Sequence, residues 1–238
     1  MAISNILYKN EYRINDFISI RIPTVGDVLD NEEEYYFLVT VLTAMPIDMM
    51  VQLADANIDF TTINEYELFL LMFQSVCALD TKLVFGDLDL TKFKIATNPQ
   101  NGTPWLIDEQ NDIKIDRAIY GQISDFLRKL HGLTKNNHKP ANKEAQDFMI
   151  ERARKKMRRK NKQAGSSQLE PLIIALVNTE QYKYDFERTR ELSIYQFNES
   201  VRQVIKKVDY DNKMFGVYTG NLNAKELSQD DLNWLVHK

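Results

Sequence analysis

Residues 152–160 read Arg-Ala-Arg-Lys-Lys-Met-Arg-Arg-Lys, seven cations in nine positions: Arg152, Arg154, Lys155, Lys156, Arg158, Arg159 and Lys160. The chemistry open to such a run is electrostatic. It can neutralise the phosphates of a nucleic acid or pair with carboxylates on an acidic protein surface. The run belongs to a wider basic island, residues 135–162, which holds 11 of the 30 Lys and Arg and only three acids, Glu144, Asp147 and Glu151. The island therefore carries +8 and the remainder −12, a split that the overall −4 conceals. Its one aromatic residue is Phe148. A platform for single-stranded nucleic acid needs several stacking rings, so the composition favours an acidic protein surface as the reader of the island, with nucleic acid as the alternative.

Covalent and metal chemistry have less to work with. Cys77, the single cysteine, lies in the apolar segment 66–79 with no histidine near it in sequence, the setting of a thiol that packs as a small hydrophobe. One cysteine also leaves no internal disulfide and no cysteine cluster for zinc. His131, His138 and His237 fall at a helix end, in a loop and near the last residue, without the spacing of a zinc site, and are expected to face solvent. Asp87 and Asp89 alternate beside a turn and could present oxygen ligands to a divalent ion, the basis of a metal-dependent enzyme reading. Turn chemistry accounts for them equally well. The acidic loop 108–112 lacks the calcium-loop pattern, and Gly216-Val217-Tyr218-Thr219-Gly220 lacks the Lys-Ser/Thr of a phosphate loop. No catalytic residue, cofactor site or metal site is assigned, and the expectation is a protein that is not an enzyme.

The elements that must position these groups follow from composition and period. With 238 residues, 44% hydrophobic, and only 8 Gly and 6 Pro, the chain can bury a sizeable core and favours helices over a turn-rich all-β fold. Alternation at Ile18-Ser19-Ile20-Arg21-Ile22 predicts a strand or hairpin before Pro23. Thr24 with Asp27, and Asn64 with Glu67, are helix-start signals, as are the acids at 32–34 and Pro46. Short apolar groups at 83–85, 93–95, 105–107 and 113–115 read as a small antiparallel β-insertion within 82–115. Asp116 caps a helix to about His131. In the island, Asn142 caps a helix with Ala145, Met149, Ala153 and Met157 on one stripe and Phe148 beside it. Past Arg154 charge surrounds that helix, so its end projects or frays into Gly165-Ser166-Ser167. Asp185 caps a longer helix carrying Ile194, Phe197, Val201, Val204, Ile205 and Val208, and Ser228 with Asp231 caps a last turn. The expected class is mainly α with a small antiparallel β-insertion, α+β. The expected divisions are an α+β domain at 1–132, a basic loop, helix and linker at 133–167, and a helical domain at 168–238. There is no internal repeat, no signal-peptide pattern and no stretch apolar enough to span a bilayer, so synthesis in the cytoplasm without membrane association is expected.

Four stretches taken together resemble a known class: Ile22-Pro23-Thr24-Val25-Gly26-Asp27, Leu192-Ser193-Ile194-Tyr195-Gln196-Phe197-Asn198, Gly216-Val217-Tyr218-Thr219-Gly220 and Leu232-Asn233-Trp234. They are similar to structural proteins from tail operons of bacteriophages and prophages of Gram-positive hosts, in particular tail assembly chaperones. The resemblance implies a non-enzymatic virion or tail assembly protein in the host cytoplasm or the virion. Its implied partners are tape-measure or tube subunits, and self-association is a further expectation. It carries over no site residues.

Overall fold

The computed structural model describes residues 6–160 and 167–235. Its first unit is the antiparallel hairpin of Glu11–Arg13 (β1) and Ser19–Arg21 (β2), with Tyr12 opposite Ile20. Asn15 closes the turn by accepting the amides of Phe17 and Ile18 at 2.9 and 2.8 Å, standing in for backbone turn bonds. Alternation then sends Ile18, Ile20 and Ile22 into the core.

The helix starts lie where the capping residues put them. Thr24 and Asp27 exchange bonds of 3.1 and 3.0 Å at the head of Val25–Asp30 (α1). Three glutamates open Glu32–Thr43 (α2), complementing the amide-rich end. Pro46 begins a 3-10 turn that runs into Met50–Asp55 (α3), and the chain turns away at Asn57, whose φ is 59°. Asn64 and Glu67 box the start of Glu65–Cys77 (α4), which buries Tyr66, Phe69, Phe73 and Val76.

Residues 83–85 depart from expectation. They form a helical turn, Lys82–Phe85 (α5), in place of a strand. Asp80 accepts the Lys82 amide at 3.0 Å, the Thr81 carbonyl accepts Val84 and Phe85, and Gly86 ends the turn at φ 61°. Three adjacent apolar residues carry no period of their own, so local capping decides. The other expected groups give the sheet Lys94–Thr97 (β3), Pro104–Asp108 (β4) and Ile113–Ile115 (β5), antiparallel in the order β3-β4-β5 with Leu106 fully buried at its centre. Asp116 then caps Arg117–His131 (α6), accepting from Ile119. Its inner face carries Tyr120, stacked on Phe69 with centroids 4.6 Å apart, and Phe126, stacked on Tyr12 at 4.4 Å.

Lys143–Lys160 (α7) and Leu169–Val177 (α8) follow. Glu32 anchors the start of α8 by accepting the amides of Gln168 and Leu169 at 2.7 and 2.9 Å and the Ser167 hydroxyl. Gly165 and Ser166 of the expected linker lie outside the described residues. The helix expected from Asp185 is two: Phe186–Glu191 (α9), an extended Leu192, then Ile194–Tyr218 (α10), restarted by a Ser193–Gln196 capping box. The break has a tertiary cause. Leu192 accepts the Val25 amide and Pro23 accepts the Ile194 amide, each at 2.8 Å, so Ser193 pairs with Thr24 as a short antiparallel bridge. Beside it Gly26 lets α1 approach α9, since a Cβ there would stand 3.3 Å from the Arg190 carbonyl oxygen.

One buried cluster joins Ile20, Val25, Leu42, Phe73, Leu106 and Phe126 with Leu169, Ile173, Ile194 and Phe197, so residues of the 1–132 and 168–238 segments share a core. A smaller cluster of Ala44, Ile47, Leu53, Phe60 and Leu68 adjoins it through Met72, which packs against both, and lies against Met149 and Ile150 of α7. With ten α-helices and two small antiparallel sheets among the described residues, the fold is α+β. None of the described helices is long and apolar enough to cross a membrane.

Candidate interaction surface

Helix α7 has an inner and an outer face. The inner face docks on α3 and the loop after it. Gln146 is buried and donates to Asp59 at 2.7 Å, Met149 and Ile150 cover the smaller apolar cluster, and Arg154 pairs with Asp55. Asp59 is itself fixed by the Thr61 amide and hydroxyl, bonds that hold its carboxyl below the usual range. The island's first cation is also absorbed by the acidic body, with Lys135 meeting Glu65 at 3.1 Å and Asp125 at 3.0 Å. These two acids flank Arg128, which is 5% exposed and donates to Glu65, Asp125 and the Thr43 carbonyl.

Among the described residues, ion pairs of the α7 segment stop at Arg154. Arg152, Lys155, Lys156, Arg158 and Arg159 are exposed and make no ion pair to another described residue. Lys160 is described only as the last backbone position of the helix. The expected stripe is half realised: Met149 and Ala153 lie on the docked side, Met157 continues that side but is 41% exposed, and Phe148, on the opposite side, is 66% exposed. At about 3.6 residues per turn, Phe148, Arg152, Lys155 and Arg159 fall along one outward strip. Gln146 and Ile150, which complete the inner face, carry polar and β-branched side chains that a four-residue apolar period does not select.

A second exposed surface lies at the far end of α10. The face that buries Ile194 and Phe197 and half-buries Val201 and Val204 continues past the body to Phe215, 69% exposed, and Tyr218, 86% exposed. Gly220, at φ 77°, turns the chain, and the amides of Asn221 and Leu222 close on the Gly216 carbonyl at 2.8 and 3.0 Å. Gly216 lets Leu222 close over the helix, because a Cβ would meet Leu222 Cδ1 at 2.7 Å and the Leu222 side chain would have to shift. The segment 221–235 then returns along the helix. Gln203 donates to the Trp234 carbonyl, Lys206 pairs with Asp230 at 2.8 Å and Lys213 with Asp231 at 2.6 Å. Lys213, together with the Ser228 cap, holds the Asp231 carboxyl well below its ordinary range. The expected Ser228–Asp231 turn is therefore present, and its role is to fasten this return.

The remaining candidates resolve into structure. Asp89 accepts the Thr91 amide and hydroxyl at 3.0 and 2.6 Å and sits 4.0 Å from Lys92, while Asp87 is exposed. Both line an open cleft of about 750 Å³ between the β1–β2 hairpin and the β-insertion. Asp108, on the same cleft, closes the β4–β5 turn, and the Asn111 amide at 2.6 Å keeps its carboxyl below the usual range. Among the described residues no group of three or more His, Cys, Asp or Glu could hold a metal ion. Cys77 is half-buried, donates to the Leu90 carbonyl, and burial pushes its thiol up. His138 is exposed as expected and His237 lies outside the described residues. His131 corrects the expectation: it packs between Tyr35 and Tyr36, with Nε2 2.9 Å from the Tyr35 hydroxyl.

The stretches that carry the resemblance meet at two places. The first two form the Thr24–Ser193 bridge, and the last two form the turn and return on α10. A family model described as the YomV second domain matches residues 159–237, a third of the chain, covering α8, α9, α10 and the return. That family is of phage type, from Bacillus prophage, and the match supports a phage protein. No curated protein and no solved structure matches the chain.

Proposed function

We propose that the chain is a non-enzymatic phage virion or tail assembly protein, of the tail assembly chaperone kind, which holds other tail proteins in the host cytoplasm. The observation that carries this reading is the apolar surface at the end of α10. Phe215, Tyr218 and Leu222 stand 43–86% exposed there, and Ile205 with Leu232, Trp234 and Leu235 of the return stand 47–62% exposed nearer the middle of the helix, all within the segment that matches the phage-type domain. Monomeric soluble proteins keep large apolar side chains scattered, and the exposure of Phe215, Tyr218 and Leu222 together at one helix end supports a contact with another protein there. The partners expected from the resemblance, tape-measure and tube subunits, are long helical or self-assembling proteins that need such cover before assembly.

The test is co-purification of the tagged chain from cells making the phage tail proteins. Tape-measure or tube protein is expected in the eluate, and is expected to be lost when Phe215 and Tyr218 both become Asp. A chain that elutes alone overturns the reading. A second reading, a nucleic-acid-associated phage protein, is favoured by one observation, that Lys155, Lys156, Arg158 and Arg159 make no ion pair among the described residues. It predicts retention of DNA or RNA that falls steeply with salt and is lost when Arg152, Lys155, Arg158 and Arg159 become Ala.

A further inference from the structure

We infer that the outward strip of α7, Phe148 with Arg152, Lys155 and Arg159, is a docking face for an acidic amphipathic helix of another protein. The inference rests on the assembly reading and names a contact within it. The four residues are spaced four, three and four apart, so they run straight along about 16 Å of helix, the repeat at which one helix lies along another. The opposite face is already used: Gln146, Met149, Ile150 and Arg154 hold α7 to α3 and Asp59, which fixes the strip outward. Phe148 is an apolar anchor at one end, 66% exposed and outside both apolar clusters, and the cations at the other end lack described carboxylate partners.

Charge on the strip's edge selects the class of partner. Glu144 stands one turn before Phe148 and Glu151 one turn before Lys155, both exposed, so a phosphate backbone laid along the strip would run beside two carboxylates. A protein helix avoids that repulsion. It can set acids three and four residues apart against Arg152, Lys155 and Arg159, an apolar side chain against Phe148, and a cation near Glu144. Phe148 is also the lone ring, and a nucleic acid would gain little stacking from it.

The experiment measures fluorescence anisotropy of labelled probes titrated with the full chain: a helical peptide with acids on one face and a leucine at one end, a scrambled peptide of equal charge, and duplex DNA. Saturable binding of the amphipathic peptide, at least about tenfold tighter than the scrambled one, is expected. Phe148→Ala should weaken it about tenfold and Arg152→Glu with Lys155→Glu more strongly, with circular dichroism unchanged because these side chains hold no other described element. Equal binding of the two peptides, variants that bind as the parent does, or DNA binding tighter than either peptide, would overturn the inference. If the Phe148, Arg152 and Lys155 triple variant still co-purifies tail proteins, this docking face falls while the assembly reading stands.

Discussion

His131 shows how much a single side chain can depend on distant sequence. Its place at the end of α6 suggests exposure, yet Tyr35 and Tyr36 of α2 cover it, and burial lowers its pKa from 6.5 to about 4. The same enclosure pushes the Tyr36 hydroxyl up to about 12. The pH consequence follows by linkage. Between pH 6.5 and 4 the unfolded chain binds the imidazole proton and the native one does not, so the stability due to neutral His131 is whole above pH 6.5 and is lost as pH falls toward 4. The loss is expected to reach roughly 3 kcal/mol. Urea midpoints measured across that window should fall with acid for the parent chain and much less for His131→Gln, which retains a group able to bond the Tyr35 hydroxyl. No local signal announces this site, because the residues that cover the ring lie almost a hundred positions away.

At the scale of elements, legibility tracks how local the deciding interaction is. Thr24 with Asp27, Asn64 with Glu67, Asp116 and Asp185 all cap helices as their types and spacing predict, since each bond spans two or three residues. The hairpin and three of the four β-insertion groups follow from alternation and turn residues for the same reason. The readings that changed depend on distant partners or on short runs without a period. The helix after Asp185 breaks at Leu192 because Pro23 and Val25 claim its backbone, and residues 83–85 take a turn from Asp80 and Gly86. The close approach of α1 to α9 is the most exacting of these contacts. Gly26→Leu should press against the Arg190 backbone and cost roughly 1–3 kcal/mol, read as a lower urea midpoint with an unchanged m-value. A midpoint equal to the parent's would mean that α9 moves aside freely.

For the whole molecule, the division that matters runs between the two apolar clusters. The larger one ties both chain halves together, while the smaller one sits under α7 and, among the described residues, draws on it only through Met149 and Ile150. Replacing both with Asp should therefore free α7 without unfolding the body. Hydrogen exchange is expected to quicken by about tenfold or more over 143–159 while α2 and α6 keep their protection. Loss of protection throughout would show that the clusters melt as one. The Thr24–Ser193 bridge carries a last implication, for how the protein is made. A chain leaving the ribosome exposes Pro23 and Val25 first, but their mates, and the plug of Ile194 and Phe197 that fills the core beside them, emerge only about 170 residues later. Until then the nascent body has an open seam, and the third of the chain that bears the phage signature is also the part that seals it.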